Sequence, residues 1–205
     1  MKELIEKLRK QGILKSPSII RAFEIVDRAG FVKPEFSEDS LVDEPLPIGY
    51  GQTISQPLTV AFMLELLQPQ EGDRILDVGS GSAWTTGLLA EIVGATGKVY
   101  AMELIPQLKT FGEENLKRAG YTTVELFAGD GSRGLSEFAP FDRILVSAAA
   151  SEIPSALLDQ LRVGGRLVIP VGEYAQDMVL VEKRGRGDYH EQRYPGFQFV
   201  PLVTN

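Results

Sequence analysis

The stretch Arg74-Ile-Leu-Asp-Val-Gly-Ser-Gly-Ser-Ala-Trp84 constrains the fold more than any other part of the chain. Arg74 to Val78 concentrates Ile, Leu and Val and reads as a buried parallel strand. A Gly-Ser-Gly-Ser turn follows, and from Trp84 to Val93 apolar residues recur at helical spacing. A strand that enters a helix through a tight glycine turn presents backbone N–H groups at the helix N-terminus, where they face a ligand. Gly79 and Gly81 allow the backbone angles of such a turn and let a ligand come close.

The residues around the turn restrict the ligand. A dinucleotide fingerprint requires glycine at position 84, where Trp84 stands, and the Gly-Lys-Ser/Thr of a P-loop is absent. Asp77 precedes Gly79, and Glu103 ends the next apolar run, Lys98-Val-Tyr-Ala-Met-Glu103. A carboxylate at the tip of the second strand is placed to take both hydroxyls of a ribose. Asp77, the Gly79-Ser80-Gly81 turn and Glu103 together resemble the first motif, and its acidic partner, of class I S-adenosylmethionine-dependent methyltransferases. Ala83 stands where the usual third glycine would be. Taken alone, the motif also fits a plain strand-turn-helix that holds no ligand.

Length and composition exclude other classes. A chain of 205 residues suits one domain, or one domain with a short appendage, and buries a substantial core. No apolar run approaches the ~18 residues of a membrane span, and Met-Lys-Glu-Leu-Ile-Glu-Lys is too charged for a signal peptide, so no membrane partner and a cytoplasmic location are expected. The absence of cysteine excludes disulfides, thiolate metal sites and a cysteine nucleophile, and a single histidine, His190, excludes a poly-histidine cluster. No metal is expected. A net charge of −7 argues against the broad positive face of a nucleic-acid binder.

From the N-terminus, Leu4, Ile5 and Leu8 share one helical face over residues 2–11, and Gly12 stops the run. Ser16-Pro17 reads as the N-cap and first position of a second helix that Gly30 ends. Residues 31–50 read as an irregular connection. Pro45-Leu-Pro-Ile-Gly-Tyr-Gly-Gln-Thr-Ile-Ser-Gln-Pro57 reads as a defined loop, neither strand nor helix, with Ser55 able to cap a helix from Leu58 to Leu67. Gln52, Thr53, Ser55 and Gln56 nonetheless cluster hydroxyls and amides beside a helix N-terminus, and loops of this kind carry function. Further on, a helix runs from Pro106 to Gly120. Val124 to Ala128 is a third strand leading into Gly129-Asp-Gly131, and Phe141 to Ser147 a fourth. A helix opens at Pro154, Gly164-Gly165 turns into a fifth strand from Arg166 to Val171, and the remainder alternates as a β-hairpin, Met178–Glu182 and Tyr189 to about Val203. The expected architecture is α/β: a mostly parallel, Rossmann-like sheet with helices on both faces and a C-terminal antiparallel hairpin. Residues 1–50 form a helical appendage and connection, and 51–205 one compact methyltransferase domain. Gly79, Gly81, Glu103 and Asp130 gather at the C-terminal edge of the strands, where such sheets bind ligands.

Over most of its length the chain resembles the protein-L-isoaspartate O-methyltransferases. The segment 45–57 is the most specific marker. Gly129-Asp-Gly131, Ala148-Ala-Ala150 with Glu152-Ile-Pro154, Gly164-Gly-Arg-Leu-Val-Ile-Pro-Val-Gly172 and Phe199-Val-Pro-Leu202 agree in order. The resemblance implies S-adenosyl-L-methionine as cofactor, S-adenosyl-L-homocysteine as product, and isoaspartyl residues of damaged proteins and peptides as substrate. By position it implies Ser55 as the active-site serine. It makes Thr53, Ile54 and Gln56 part of the cofactor and substrate cleft, and Asp77, Gly79, Ser80 and Gly81 the motif turn. Glu103 with Leu104 takes the ribose, Asp130 with Gly131 the adenine edge, and Gln176 is a polar residue of the cofactor site. Besides Ala83, Ser147 replaces a usual threonine and Gln198 a usual arginine, the latter in the strand expected to hold the peptide.

The implied acceptor carboxylate is ionised at pH 7, so its methylation calls for positioning and no general base. Ser55 is therefore expected to position the carboxylate, and the enzyme to act as a monomer in protein repair. A methyltransferase of another small-molecule or RNA acceptor, and a cofactor-binding module without turnover, are the alternatives.

Overall fold

The computed structural model describes residues 1–204. Arg74–Val78 forms β3, an interior strand of a seven-stranded sheet, after the N-terminal helices α1 (Lys2–Lys10) and α2 (Pro17–Ile25), the small strands β1 (Leu46–Gly49) and β2 (Gln52–Ile54), and the helix α3 (Pro57–Leu67). Then come α4 (Trp84–Val93), β4 (Lys98–Glu103), α5 (Pro106–Ala119), β5 (Val124–Ala128), β6 (Phe141–Val146), α6 (Ser155–Gln160), β7 (Leu161–Val171), β8 (Gln176–Gly185) and β9 (Asp188–Phe197). The strand order is β5-β4-β3-β6-β7-β8-β9. The first five strands are parallel, and β8 and β9 run antiparallel to their neighbours. The order reverses between β3 and β6, which opens the crevice at their C-terminal ends.

Alternation along the strands decides the two faces. Ile75, Val99, Leu145 and Val168 join the core under α3, α4 and α5, while Leu76, Tyr100, Ile144 and Leu167 face α6. That second face is covered by a short helix and by aromatics, with Phe138 stacked on Tyr100 at 4.4 Å.

The two N-terminal helices belong to the first core. Leu8, Ile19 and Phe23 are buried with Trp84, and the Phe23 and Trp84 rings meet edge-on at 5.6 Å. Ser16 and Pro17 sit at the N-cap and first position of α2 as the pattern suggests, yet the Ser16 side chain does not cap the helix and is held by α3 instead. The Glu65 carboxylate accepts from Lys15 N and Ser16 N, both at 2.7 Å, and from the Ser16 hydroxyl.

Several local expectations need correction. The loop 45–57 contains a hairpin, because Tyr50 (φ 54°) and Gly51 (φ 71°) adopt the left-handed pair that closes a two-residue turn. It straddles position 50. Helix α2 stops at Ile25, and Gly30 is part of a separate 3-10 turn, Arg28–Phe31, instead of terminating the helix. Ser55 does not cap α3: Gln56 holds the N-cap position without a side-chain bond, and the free Leu58 N–H donates to Asp43 Oδ1 at 2.9 Å. Gly164-Gly165 lies within β7, which begins at Leu161. Strand β9 ends at Phe197, beyond which the chain crosses to Ala149, whose N–H donates to Val200 O at 2.8 Å.

Candidate active site

The strand-to-helix turn after β3 is held by Met102, whose carbonyl accepts from Gly79 N at 2.9 Å and Ser80 N at 3.1 Å. Gly81 (φ 54°) comes so close to the hairpin that a β-carbon there would stand 3.1 Å from Ile48 Cδ1. Ala83 is the N-cap of α4 at φ 67° and ψ 23°. That left-handed geometry is what glycine adopts without strain, and it gives the physical meaning of the missing third glycine.

Glu103, at the tip of β4, is 7% exposed and divides its carboxylate between two backbone donors, Gly81 N at 2.8 Å and Ile105 N at 3.0 Å. Asp77 is fully buried. Its Oδ2 accepts the Thr86 hydroxyl at 2.6 Å, while Oδ1 and the nearby Ser80 hydroxyl are buried with no partner. Burial pushes the Asp77 carboxyl up to about 6 from the usual 3.8. The Glu103 charge adds to this, and the Thr86 bond opposes it.

These groups border a cavity of about 660 Å³, mouth included, at the crevice between β3 and β6. Thr53, Gly79, Gly81, Glu103, Leu104 and Gly131 line it as the sequence suggests. Gly131 is irreplaceable on steric grounds, since a β-carbon would lie 2.4 Å from Val78 Cγ1. Asp77 and Ser80 lie beneath the lining, and Ile54 is a core residue opposite Leu46. Asp130 caps the short turn Gly131–Arg133, with its Oδ1 accepting from Ser132 N and the Ser132 hydroxyl.

A second, more open cleft of about 1,300 Å³, mouth included, adjoins the first. It contains Ser55, Gln56 and Gln198. Thr53, Ser147 and Val200 line both, so the two spaces meet at these residues. Gln176 belongs to neither. Its amide is spent on the backbone of Phe199, which makes the expected cofactor contact geometrically remote.

Several contributors were not visible in the sequence pattern. Ile48 and Val200 to Val203 bring walls from distant parts of the chain. Arg28, with no exposed surface, donates to the carbonyls of Ser40, Val42, Glu44 and Ser55. Asp43 caps α3, and its carbonyl accepts from the Gln56 amide at 2.9 Å.

The residues present fit a cofactor that joins an adenosine to an amino acid. A glycine turn gives close approach, a carboxylate ends the second strand, and two buried polar atoms lack partners. Fold and cavity together define a class I S-adenosylmethionine-dependent methyltransferase. The model of the family described as protein-L-isoaspartate(D-aspartate) O-methyltransferase matches residues 1–205. The chain belongs to that family. It is 46% identical over 202 residues to the protein-L-isoaspartate O-methyltransferase of Aeropyrum pernix, covering 98% of this chain and 78% of that one. With the Staphylothermus marinus protein of the same name it shares 45% identity, covering 98% and 93%. A Plasmodium falciparum protein solved in complex with S-adenosyl-L-homocysteine, described as a putative protein-L-isoaspartate O-methyltransferase, superimposes with a TM-score of 0.88. It is 30% identical and covers 100% of this chain and 98% of its own. Among the described residues no helix is long and apolar enough to cross a membrane.

The raised Asp77 pKa has a consequence for stability. The folded chain holds this proton to about pH 6, the unfolded chain only to about 3.8, so the contribution of this one group to folding is fully present below 3.8. Stability is lost as pH rises through that window, by about 3 kcal/mol from this one group. Asp77→Asn removes the titration and keeps an acceptor for Thr86. Urea unfolding between pH 4 and 7 is expected to show the variant gaining on the wild type as pH rises; parallel stability curves would contradict the assignment.

Proposed function

We propose that the chain transfers a methyl group from S-adenosyl-L-methionine to the α-carboxylate of isoaspartyl residues in damaged proteins. The observation that carries this reading is the meeting of an inner cavity, bordered by Glu103 and the glycine turn, with an outer cleft that holds Ser55. The names of the relatives and the product bound to the solved Plasmodium protein support it.

The cofactor supplies an electrophilic methyl on a positively charged sulfur. Glu103 would take the ribose hydroxyls, Asp77 and Ser80, beneath the glycine turn, would support its amino-acid end, and Asp130 with Gly131 would border the adenine. Gln176, expected as a further polar group of this site, acts from a distance. Ser55 donates its hydroxyl to the acceptor carboxylate and aims one oxygen at the methyl carbon. That oxygen forms the new C–O bond while the S–CH₃ bond breaks and its electron pair stays on sulfur. No proton moves, because the acceptor is already ionised. His190, on β9 opposite Glu182, lines neither cavity and has no part in the step. Positioning at ~3–3.5 Å supplies a large share of the rate, and the hairpin over Gly81 helps to exclude water. The methyl ester then closes to a succinimide with loss of methanol, and hydrolysis returns part of it to aspartate. We take the chain to act as a monomer on cytoplasmic proteins, with no nucleic-acid partner.

The test is methyl transfer from labelled S-adenosylmethionine to a matched pair of peptides, one isoaspartyl and one aspartyl. Strong labelling of the first alone, with methanol released as the ester decays, is expected. Labelling of neither despite cofactor binding would move the reading to another acceptor. Ser55→Ala is expected to lower turnover roughly 10²-fold, the effect of losing one positioning donor, with cofactor affinity within a few-fold. An equal fall in both would remove Ser55 from the acceptor side.

A further inference from the structure

Between the end of β9 and the last described residues, the chain walls both cavities at once. Gly196 to Val200 line the outer cleft, and Val200 to Val203 the inner cavity. Beyond Phe197 this closing segment lies outside the sheet, and its backbone from Gln198 to Leu202 is tied down at two places. Ala149 holds one end, its N–H donating to Val200 O at 2.8 Å and its carbonyl accepting from Leu202 N at 2.7 Å. Gln176 holds the other. This first residue of β8 is 7% exposed; its Oε1 accepts from Phe199 N at 2.6 Å and its Nε2 donates to Phe199 O at 3.1 Å. A side-chain amide thus reproduces the two-point pairing that a neighbouring strand would make, one residue beyond Gln198 and one before Val200.

We infer that Gln176 is a positioning residue that couples the two cavities, by fixing the closing segment against cofactor and peptide together. The inference rests on the proposed methyl transfer for its substrate arm only. A segment held at Phe199 presents Gln198 to the peptide and Val200 to the junction in one register. When the inner cavity fills, contacts with Val200 to Val203 pull on the same short stretch, and Gln176 carries that constraint to the outer cleft. Loss of the clamp leaves Ala149 as the remaining anchor and frees the outer half.

Gln176→Met fills the same volume with no hydrogen bond, and Gln176→Glu keeps the acceptor for Phe199 N while losing the donor to Phe199 O. Three readouts are made on each full-length variant: hydrogen exchange with and without S-adenosylhomocysteine, affinity for S-adenosylhomocysteine, and kcat and KM for an isoaspartyl peptide. In Gln176→Met, exchange across 198–200 is expected to rise at least 10-fold while the 79–81 turn keeps its ligand-induced protection. The peptide KM rises about 10-fold, with kcat and S-adenosylhomocysteine affinity within three-fold. Gln176→Glu sets a carboxylate oxygen against Phe199 O and is expected to free the segment at least as much as Gln176→Met. A loss of S-adenosylhomocysteine affinity larger than the change in peptide KM, with exchange at 198–200 unaltered, would overturn the inference and make Gln176 a direct cofactor contact. Unchanged values in all three would overturn it too. If the wild type itself turned over no isoaspartyl peptide, the substrate reading would fall while the exchange measurement still decided the clamp.

Discussion

Glu103→Ala is expected to weaken the binding of S-adenosylmethionine and S-adenosylhomocysteine by about 100-fold. The carboxylate stands at the end of β4, almost wholly buried, on the wall of the inner cavity. Hydrogen bonds to a charged acceptor are worth about 1.5–3 kcal/mol each. Losing the pair that would hold a ribose diol in the proposed binding mode, less what water restores, leaves about 2.7 kcal/mol, or two decades in affinity. The change also strips acceptors from Gly81 N and Ile105 N, so the turn itself loosens. Glu103→Gln should fall between, because an amide offers one acceptor oxygen where the carboxylate offers two. Calorimetric titration with S-adenosylhomocysteine is the direct measurement. A loss smaller than three-fold would place the ribose elsewhere.

Arg28→Met is expected to cost at least 3 kcal/mol of folding stability and to lower the melting temperature by about 10 °C. Its guanidinium is buried, donates to four backbone carbonyls and lies 5.3 Å from the centroid of the Trp84 ring. Burial pulls its pKa down to about 10, with Asp43 opposing, so it remains a cation at neutral pH. Removing it leaves four acceptors without their donor, and at ~1–3 kcal/mol for each orphaned buried group the total exceeds any packing gain from methionine. Arg28→Lys should recover little, since an ammonium is a single point and cannot span carbonyls from Ser40 to Ser55. Thermal unfolding followed by circular dichroism measures both. A shift of under 3 °C in Arg28→Met would show that water satisfies these carbonyls and that the arginine is dispensable.

The two residues show where sequence patterning works and where it stops. Glu103 was legible because the order strand, glycine turn, helix, strand places it on one sheet edge whatever the rest of the chain does. The parallel strands β3 to β6 and helix α5 were legible for the same reason, each being written in its own local periodicity. Arg28 was not, because its partners lie 12 to 27 positions away along an irregular path. The same applies to Asp43 capping α3 and to Glu65 anchoring the entry to α2, where the partner arrives from another element and leaves no local spacing behind. The hairpin 46–54 was concealed by Pro47 within its first strand and by a turn with tyrosine at positive φ, which residue preferences oppose. Gln176 shows a further limit: a polar residue near a site by position proved to be occupied by the backbone beside it.

The outer cleft has a property that bears on how such an enzyme meets its substrates. Among the described residues, those lining it are hydroxyl, amide and apolar groups, with no charged side chain. A surface of that kind cannot rank peptides by ion pairs with their neighbouring residues. What remains to discriminate is the shape of the backbone and the freedom of a segment to enter. Spontaneous damage arises in many sequence contexts, and a cleft indifferent to flanking charge treats them alike. Access then sorts the targets: a kinked isoaspartyl link in a loose, exposed stretch enters, and the same link inside a tightly folded region waits until that region opens.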